Sequence, residues 1–413
     1  MRRIRDRVAG LDVHRDSVTA CSQVREGNQP EPRVEKARFA TTARGVAELA
    51  DWLAERGVET VAMEATGVYW KPVFYRLEGL FGEVWLCNAQ HVKNVPGRKT
   101  DMADAEWLAD VVAHGMIRPS MVPPEPIREL RELTRYRKTQ VDERAREVQR
   151  LEKVLQDAGI KLSSVASRVL TKSGRAMVEA LIAGQRDPAV LADLAKRKMR
   201  SKIPQLVEAL EGMFGPHHAV VCRQILAHID FLDASIDELS EEVVKRMGPF
   251  EGAITLLESI PGVSRRTAEV IVAETGGDMS RFPTPRHLAA WAGVAPASHQ
   301  SAGKHRPAGT RKGGRWLRRY LIEAARAASR SKGTYLSAQY RQLARRRGDN
   351  KAIVAVAHSI LTISWHLLST GETYQDLGAD HFQKPQTRDG QARRLTKQLE
   401  ALGFAVTLED QAA

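Results

Sequence analysis

The sequence predicts a mixed α/β domain at the N-terminus, then long helices with coiled-coil spacing, then a small, strongly basic all-α domain. Three observations predict this. Over residues 1–118 short β-rich runs alternate with stretches of helical periodicity. Pro119, Pro123, Pro124 and Pro126 then break that pattern. Finally, residues 304–347 hold 14 Lys/Arg and one acid, Glu323, so that the net charge of +13 sits in this stretch and the rest of the chain is balanced.

The first domain can be justified element by element. RVAGLDV (7–13) is a short apolar run, HRD turns the chain, and SVTACSQV (17–24) is β-rich. ARFATT (37–42) is a third strand, and residues 43–56 carry Val46, Leu49 and Leu53 at helical spacing. TVAME (60–64) is a fourth strand, GVYWKPVFYRLEGL a helix interrupted early by Pro72, and EVWLC (83–87) a fifth strand before another helix. The order β-β-β-α-β-α-β-α is that of the ribonuclease H type fold, a mixed sheet with helices on its faces.

Beyond the prolines, residues 127–155 carry an apolar stripe of Leu130, Leu133, Val141, Ala145, Val148, Leu151 and Leu155. A second helix has Ile225, Ile229, Leu232, Ile236, Leu239 and Val243 at heptad spacing. Two such helices pair either as an antiparallel hairpin within the chain or as a coiled coil between chains. Gly248 and Pro249 mark the next boundary, residues 352–368 read as a buried helix, and the stretch from Thr370 has a weak pattern. The expected domains are therefore 1–118, 119–249, 250–347 and 348–413.

Composition narrows the function classes. With 43% hydrophobic residues the chain can build cores, and a pI near 9.8 points to a polyanionic partner. Cys21, Cys87 and Cys222 lie far apart, which argues against a disulfide framework or a cysteine zinc site. With no signal-peptide pattern and no apolar run approaching the roughly 18 residues of a membrane span, the expectation is a soluble cytoplasmic protein without a membrane partner.

Four acids stand out. Asp12 interrupts the apolar run VAGLDV, and Glu64 ends TVAME before a small-residue turn. A charge in such a place is costly unless it is paired or binds a cation. Asp101 and Asp104 are spaced to share one face where a helix begins. Strands one and four are neighbours in the predicted topology, with the last helix crossing near their ends, so the four carboxylates can converge. Such a cluster needs divalent cations, and hard oxygen ligands favour magnesium, or else manganese, over zinc. Two such ions clamp a phosphodiester for in-line displacement. The alternative is that Asp12 caps a turn, Glu64 pairs with a lysine, and Asp101 and Asp104 cap the helix.

LLESIPGVSRRTAEVIVAETG (256–276) reads as a helix, a Pro-Gly-Val turn and a second helix opening at Ser264. It is either a phosphate-holding helix-hairpin-helix or an αα-hairpin that packs the domain. Ser301 follows in a segment of small and basic residues beside Lys304 and Arg306, where its hydroxyl is either a plain loop serine or a nucleophile toward phosphorus. Gly313 and Gly314 precede a helix whose inner stripe is Leu317, Leu321, Ala324 and Ala328, with Arg315, Arg319, Arg326 and Arg330 on another face. Lys304, Arg306, Arg311, Lys312, Arg315, Arg319 and Arg326 are the candidate phosphate contacts of this track.

Taken in order, GLDV, MEATG, KTDMADA, IPGV, WAGVAP and SAGK…KGG…LR resemble the insertion sequence 110 group of DEDD transposases, RNA-guided recombinases of mobile elements, over roughly residues 8–347. The resemblance implies that Asp12, Glu64, Asp101 and Asp104 are the metal ligands of a RuvC-like domain and that Ser301 becomes covalently joined to DNA. It implies further a helical linker for oligomerisation from dimer to tetramer, donor and target DNA as substrates, and a structured non-coding guide RNA. HRD follows Asp12 where Ser-Lys is common in the family, SAG replaces Ser-Gly-Gly, and the tail runs several dozen residues past the usual end. Ser298 is the alternative nucleophile. The two catalytic parts lie about 200 residues apart, which suggests that different protomers contribute them. The competing readings are a RuvC-like nuclease in which water attacks, and a basic scaffold whose acids are structural.

Overall fold

Apolar residues at every position from Val8 to Leu11 bury both faces of the first strand, as a central strand requires. The computed structural model describes residues 3–27, 29, 31–65, 67–89, 92, 103–297, 299–301, 304–306, 309–310, 313–382 and 388–407. The chain divides into two units, Met1–Pro123 and Pro124–Ala413.

In the first unit the elements are β1 (Arg7–Val13), β2 (Ser17–Val24), β3 (Arg33–Ala40), α1 (Ala43–Glu55), β4 (Thr60–Glu64), α2 (Trp70–Leu77), β5 (Glu83–Cys87), α3 (Ala103–Ala113) and β6 (Pro119–Ser120). The sheet order is β3-β2-β1-β4-β5-β6. β1, β2 and β3 form antiparallel hairpins, β1, β4 and β5 are parallel, and β6 is antiparallel to β5. This is the mixed sheet that the sequence order predicts. Two details differ. Pro72 lies in the first turn of α2, where a missing N–H costs nothing, so it does not interrupt the helix. The sheet also continues past residue 118, because Pro119 is tolerated on an edge strand.

One face of the sheet, with Ala9, Leu11, Val61 and Met63, packs against Leu49 and Leu53 of α1 and Val73, Phe74 and Leu77 of α2. The other face, with Val8, Ala62 and Cys87, packs against Leu108, Ala109 and Val112 of α3. Gly10 is what lets α3 lie this close. A Cβ there would meet the carbonyl oxygen of Ala105 and come within 2.6 Å of the Ala109 nitrogen. Because backbone cannot yield as a side chain does, Gly10→Ala should destabilise the first unit by about 3 kcal/mol or more. A thermal melt would check this, and a loss of under about 1 kcal/mol would mean that the helix can shift away freely.

The second unit opens with α4 (Glu125–Asp157), followed by α5 (Leu162–Val165), α6 (Lys172–Ile182), α7 (Pro188–Asp193), a 3-10 segment (Arg197–Lys202), α8 (Ile203–Leu210) and α9 (Pro216–Met247). α4 and α9 pair within the chain and run antiparallel. Arg246 meets Glu129 at one end, Arg144 Nη2 donates to Asp233 Oδ2 (2.9 Å) midway, and His218 Nε2 lies 3.1 Å from Asp157 Oδ2 at the other end. α5 to α8 form an insert at that last end and share a core with Leu151, Leu155, Cys222 and Ile229 of the long helices.

The apolar stripe expected on α4 is only partly the buried one. Leu130, Leu151 and Leu155 are buried, but Leu133, Val141 and Val148 are half-buried and Ala145 is exposed. In their place Thr134, Arg137, Lys138 and Gln140 face inward. The reason is the partner, α11 (Arg265–Thr275), which follows α10 (Glu251–Glu258) and brings carboxylates to this face. Arg137 Nη2 donates to Glu269 Oε2 (2.7 Å) with both side chains 2% exposed, and Arg135 grips Glu274 through two bonds of 2.7 Å.

The unit continues with α12 (Pro285–Trp291), a ribbon of β7 (His299–Ser301) and β8 (Lys304–Arg306), α13 (Arg315–Arg330), α14 (Tyr335–Arg347), α15 (Asp349–Thr370) and α16 (Arg388–Ala401). α15 is long and apolar enough to cross a membrane by length and composition, contrary to the expectation that no segment is. Its buried residues, including Ile353, Val356, Ile360 and Leu361, instead belong to a helix packed on α12, α13 and α14. The tail, patternless in sequence, contains α16 with Leu395 and Leu399 exposed.

Asp142 of α4 accepts from Lys138 (2.9 Å) and from Arg319 of α13 (2.8 Å). Burial pulls its pKa upward, yet these two cations together hold it below the ordinary 3.8. A carboxylate depressed on folding contributes stability above its unfolded pKa and loses it as pH falls through the folded value. The melting temperature should therefore drop as pH falls below about 4, and drop less in Asp142→Asn. Equal drops would show that this pair adds nothing to acid stability.

Candidate metal and phosphate sites

Asp12 and Glu64 come together because β1 and β4 are parallel neighbours in register, Leu11 opposite Met63. The next residue on each strand is an acid, and in a parallel register opposite residues project to the same face. That face carries Val8 and Gly10 on β1 and Ala62 on β4, the α3 side. α3 runs antiparallel to β1. The Ala113 carbonyl accepts from the amides of Ile4 (2.8 Å) and Arg5 (3.1 Å), and Ala105 and Ala109 lie on Gly10. The first turn of α3, with Asp104, thus lies at the strand end that carries Asp12 and Glu64. Asp101 lies outside the described residues.

The environments of these acids differ from those of ordinary surface carboxylates. Asp12 is 24% exposed and its Oδ2 lies 2.9 Å from Nε2 of His14, the residue of the HRD turn. Asp104 Oδ1 is buried and finds no hydrogen-bond partner among the described residues. Its neighbour Glu106, by contrast, is neutralised by Lys36 Nζ at 2.6 Å, and the bond to Glu106 raises the Lys36 pKa. Beneath Glu64, burial first and then the Glu64 charge push the Cys87 thiol up to about 12, so this cysteine is an inert neighbour. Asp12, Glu64 and Asp104 share one edge, but mutually repelling carboxylates stand apart and their oxygens do not lie within 4.8 Å of one another as a group.

Among the described residues one group of three does: Asp157, His217 and His218. Its chemistry is that of a clasp. The Gly215 amide donates to His218 Nδ1 (3.0 Å), so Nε2 carries the proton and donates to Asp157 Oδ2. Both ring nitrogens are engaged, Nδ1 in capping the start of α9 and Nε2 in tying that start to the end of α4. Neither this clasp nor the role of Gly10 was evident from spacing; the adjacent His217-His218 pair after Gly215-Pro216 is the signal for the clasp.

In the basic stretch, Ser301 ends β7 and pairs by backbone with Lys304 at the start of β8, while His299 pairs with Arg306. The serine is therefore the last residue of a strand in a two-stranded ribbon. Ser298, Arg311 and Lys312 lie outside the described residues. On α13, Leu317, Leu321, Ala324 and Ala328 are buried, and Arg315, Arg319, Arg326 and Arg330 are exposed on the outer side. The row is not uniform, because Arg319 is held by Asp142. The stretch's one acid, Glu323, is in turn countered by Lys138 at 3.5 Å. The Pro-Gly-Val turn packs directly on α13. Gly262 has φ +89°, and a Cβ there would come within 2.5 Å of the Ala324 carbonyl and the Ala328 nitrogen. That contact accords with the αα-hairpin reading of this motif.

Comparison with known proteins adds two family matches. Residues 9–160 match a model described as "Transposase", for the DEDD transposases of IS110, and residues 254–341 match "Transposase IS116/IS110/IS902 family". The chain is 27% identical over 377 residues to "Transposase for insertion sequence element IS1111A" of Coxiella burnetii, an alignment spanning 89% of this chain and 91% of that protein. It is 29% identical over 324 residues to "Probable family 20 transposase" of Pseudomonas aeruginosa, spanning 76% and 85%. A shorter stretch of 124 residues is 34% identical to "Insertion element IS110 uncharacterized 43.6 kDa protein" of Streptomyces coelicolor, spanning 29% and 30%.

Proposed function

The chain belongs to the IS110 family of transposases, hence of DNA-acting enzymes, and from that premise we propose that it cuts and rejoins DNA through a phosphoserine at Ser301 with magnesium held by Asp12, Glu64, Asp101 and Asp104. The observation that carries the metal part is the buried, unpartnered Oδ1 of Asp104 at the edge that Asp12 and Glu64 share. An all-oxygen donor set at such an edge fits magnesium or manganese better than zinc. Bound there, the ion would supply Lewis-acid polarisation of the phosphodiester.

The protein's own groups do the rest. Asp12 and Glu64, fixed by strand register, and Asp104, fixed by the α3 crossing at Gly10, supply hard oxygen ligands. Ser301 Oγ attacks phosphorus, forming one P–O bond as the strand's own P–O bond breaks, and the displaced sugar oxygen leaves with a proton. Reversal by a sugar hydroxyl of another strand reseals the backbone without ATP. Lys304, Arg306, Arg311, Lys312, Arg315 and Arg326 hold phosphates along this track, and Arg319 does so in exchange with Asp142. A structured guide RNA directs the choice of donor and target. Dimers or tetramers then bring the carboxylates of one protomer to the serine of another, in the cytoplasm at the nucleoid.

Saturating magnesium should raise the melting temperature of the unmodified protein and leave that of Asp104→Asn unchanged. Strand cleavage should stop in chelator and return with magnesium. Cleavage that persists in chelator would refute the metal site.

A further inference from the structure

We infer that the helical insert at the Asp157–His218 end of the α4–α9 hairpin carries a second nucleic-acid surface, which grips a phosphodiester backbone with side chains other than the α13 arginines. The insert lies within residues 161–253, the segment between the two family matches. The inference rests on the chain handling nucleic acid, and is independent of the serine and metal chemistry.

Two short segments build the surface, residues 165–173 and 196–202. Between them they hold seven Lys/Arg and no acid. Two hydrogen bonds place them side by side. The Lys196 amide donates to Ser173 Oγ (2.9 Å), and Lys202 Nζ donates to the Val165 carbonyl (2.8 Å). Arg168 and Lys172 are thereby set next to Lys196, Arg197 and Lys198. All five side chains are exposed, and none has an ion pair with a described residue. Arg200 is different, being paired with Asp193 at 3.2 Å.

Unpaired like charges so close together repel one another, and nothing in the fold of the insert needs them. The insert has its own core of Met177, Leu181, Leu191 and Leu206, which buries none of the five. Arg197 adds a cost of another kind. Among the described residues it is the single non-glycine with positive φ, at +54°. A backbone strained in this way on a surface cation, where glycine would be relaxed, marks a position held for what the side chain does. The base of α6 contributes as well, since Thr171 caps its first turn at Gly174 and the helix's positive end opens beside Lys172. A cluster of exposed cations with no ion pair to a described residue is complementary to a chain of phosphates, of RNA or of DNA.

The test uses the full chain, and the Ser301→Ala chain in parallel, in chelator and reads affinity and not cleavage, so that failure of the chemistry proposed above is distinguishable from failure of this surface. One variant carries R168Q, K172Q, K196Q, R197Q and K198Q; a second keeps the charges as R168K, K172R, K196R, R197K and K198R. Affinities for a single-stranded RNA and a duplex DNA of equal length are measured against salt. For the first variant the slope of log affinity should fall by about two or more on at least one probe, at about 0.7 per lost contact on a single strand and about 0.9 on duplex DNA. The second variant should keep the parent slope. The probe that responds identifies the backbone that is held. Unchanged slopes on both probes, or equal losses in both variants, would overturn the inference.

Discussion

Ser301→Ala should form no covalent protein–DNA adduct and should lower strand exchange by on the order of a thousandfold or more, as removal of an attacking group does elsewhere. The substitution removes one oxygen at the end of β7 and leaves the backbone pairing with Lys304 intact. DNA binding should stay near the parent level, because the exposed arginines of α13 and the carboxylate edge are untouched. Ser298→Ala should remain active, which separates the nucleophile from general damage to the ribbon. Ser301→Cys should keep a trace of adduct, since sulfur attacks phosphorus but its longer bonds misplace it. If Ser301→Ala cuts and rejoins like the parent, water is the nucleophile and the protein works as a RuvC-like nuclease.

The second large effect belongs to the carboxylates. Asp12→Ala, Glu64→Ala and Asp104→Ala should each lower cleavage by on the order of a hundredfold or more, with folding and DNA binding nearly unchanged. Asp104 is the most telling of the three. Its buried oxygen has no partner, so removing it relieves an uncompensated polar group and should hold or raise thermal stability in the absence of metal. Glu106→Ala, next to it, should do the opposite: it breaks the ion pair with Lys36 and leaves cleavage alone. Cleavage at the parent rate in all three site variants would show that these carboxylates do not hold the catalytic metal.

The first unit was largely legible in the sequence, because its strands and helices each carry their own periodicity and because parallel register turns two acids at strand ends into neighbours. β6 was not, since two residues at a proline carry no periodic signal. In the second unit the heptads of α9 predicted its buried face, whereas half of α4 was misread. Its inward Arg137 and Lys138 look like solvated charges until α11 and α13 supply Glu269 and Glu323. For the same reason Arg319 seemed free, and Asp142, 177 residues away, holds it. Charges paired across long sequence separations leave no local trace. The basic surface of the insert was missed because acids in other segments bring the count outside residues 304–347 to balance.

The proposed chemistry turns on a covalent bond between DNA and one serine. Protein incubated with magnesium and cleavable DNA, then denatured and digested, can be examined by mass spectrometry for a nucleotide-bearing peptide. A phosphodiester on Ser301 is expected, absent in Ser301→Ala and in chelator. Cleaved DNA with free ends and no modified peptide, or a modification at Ser298, would contradict it.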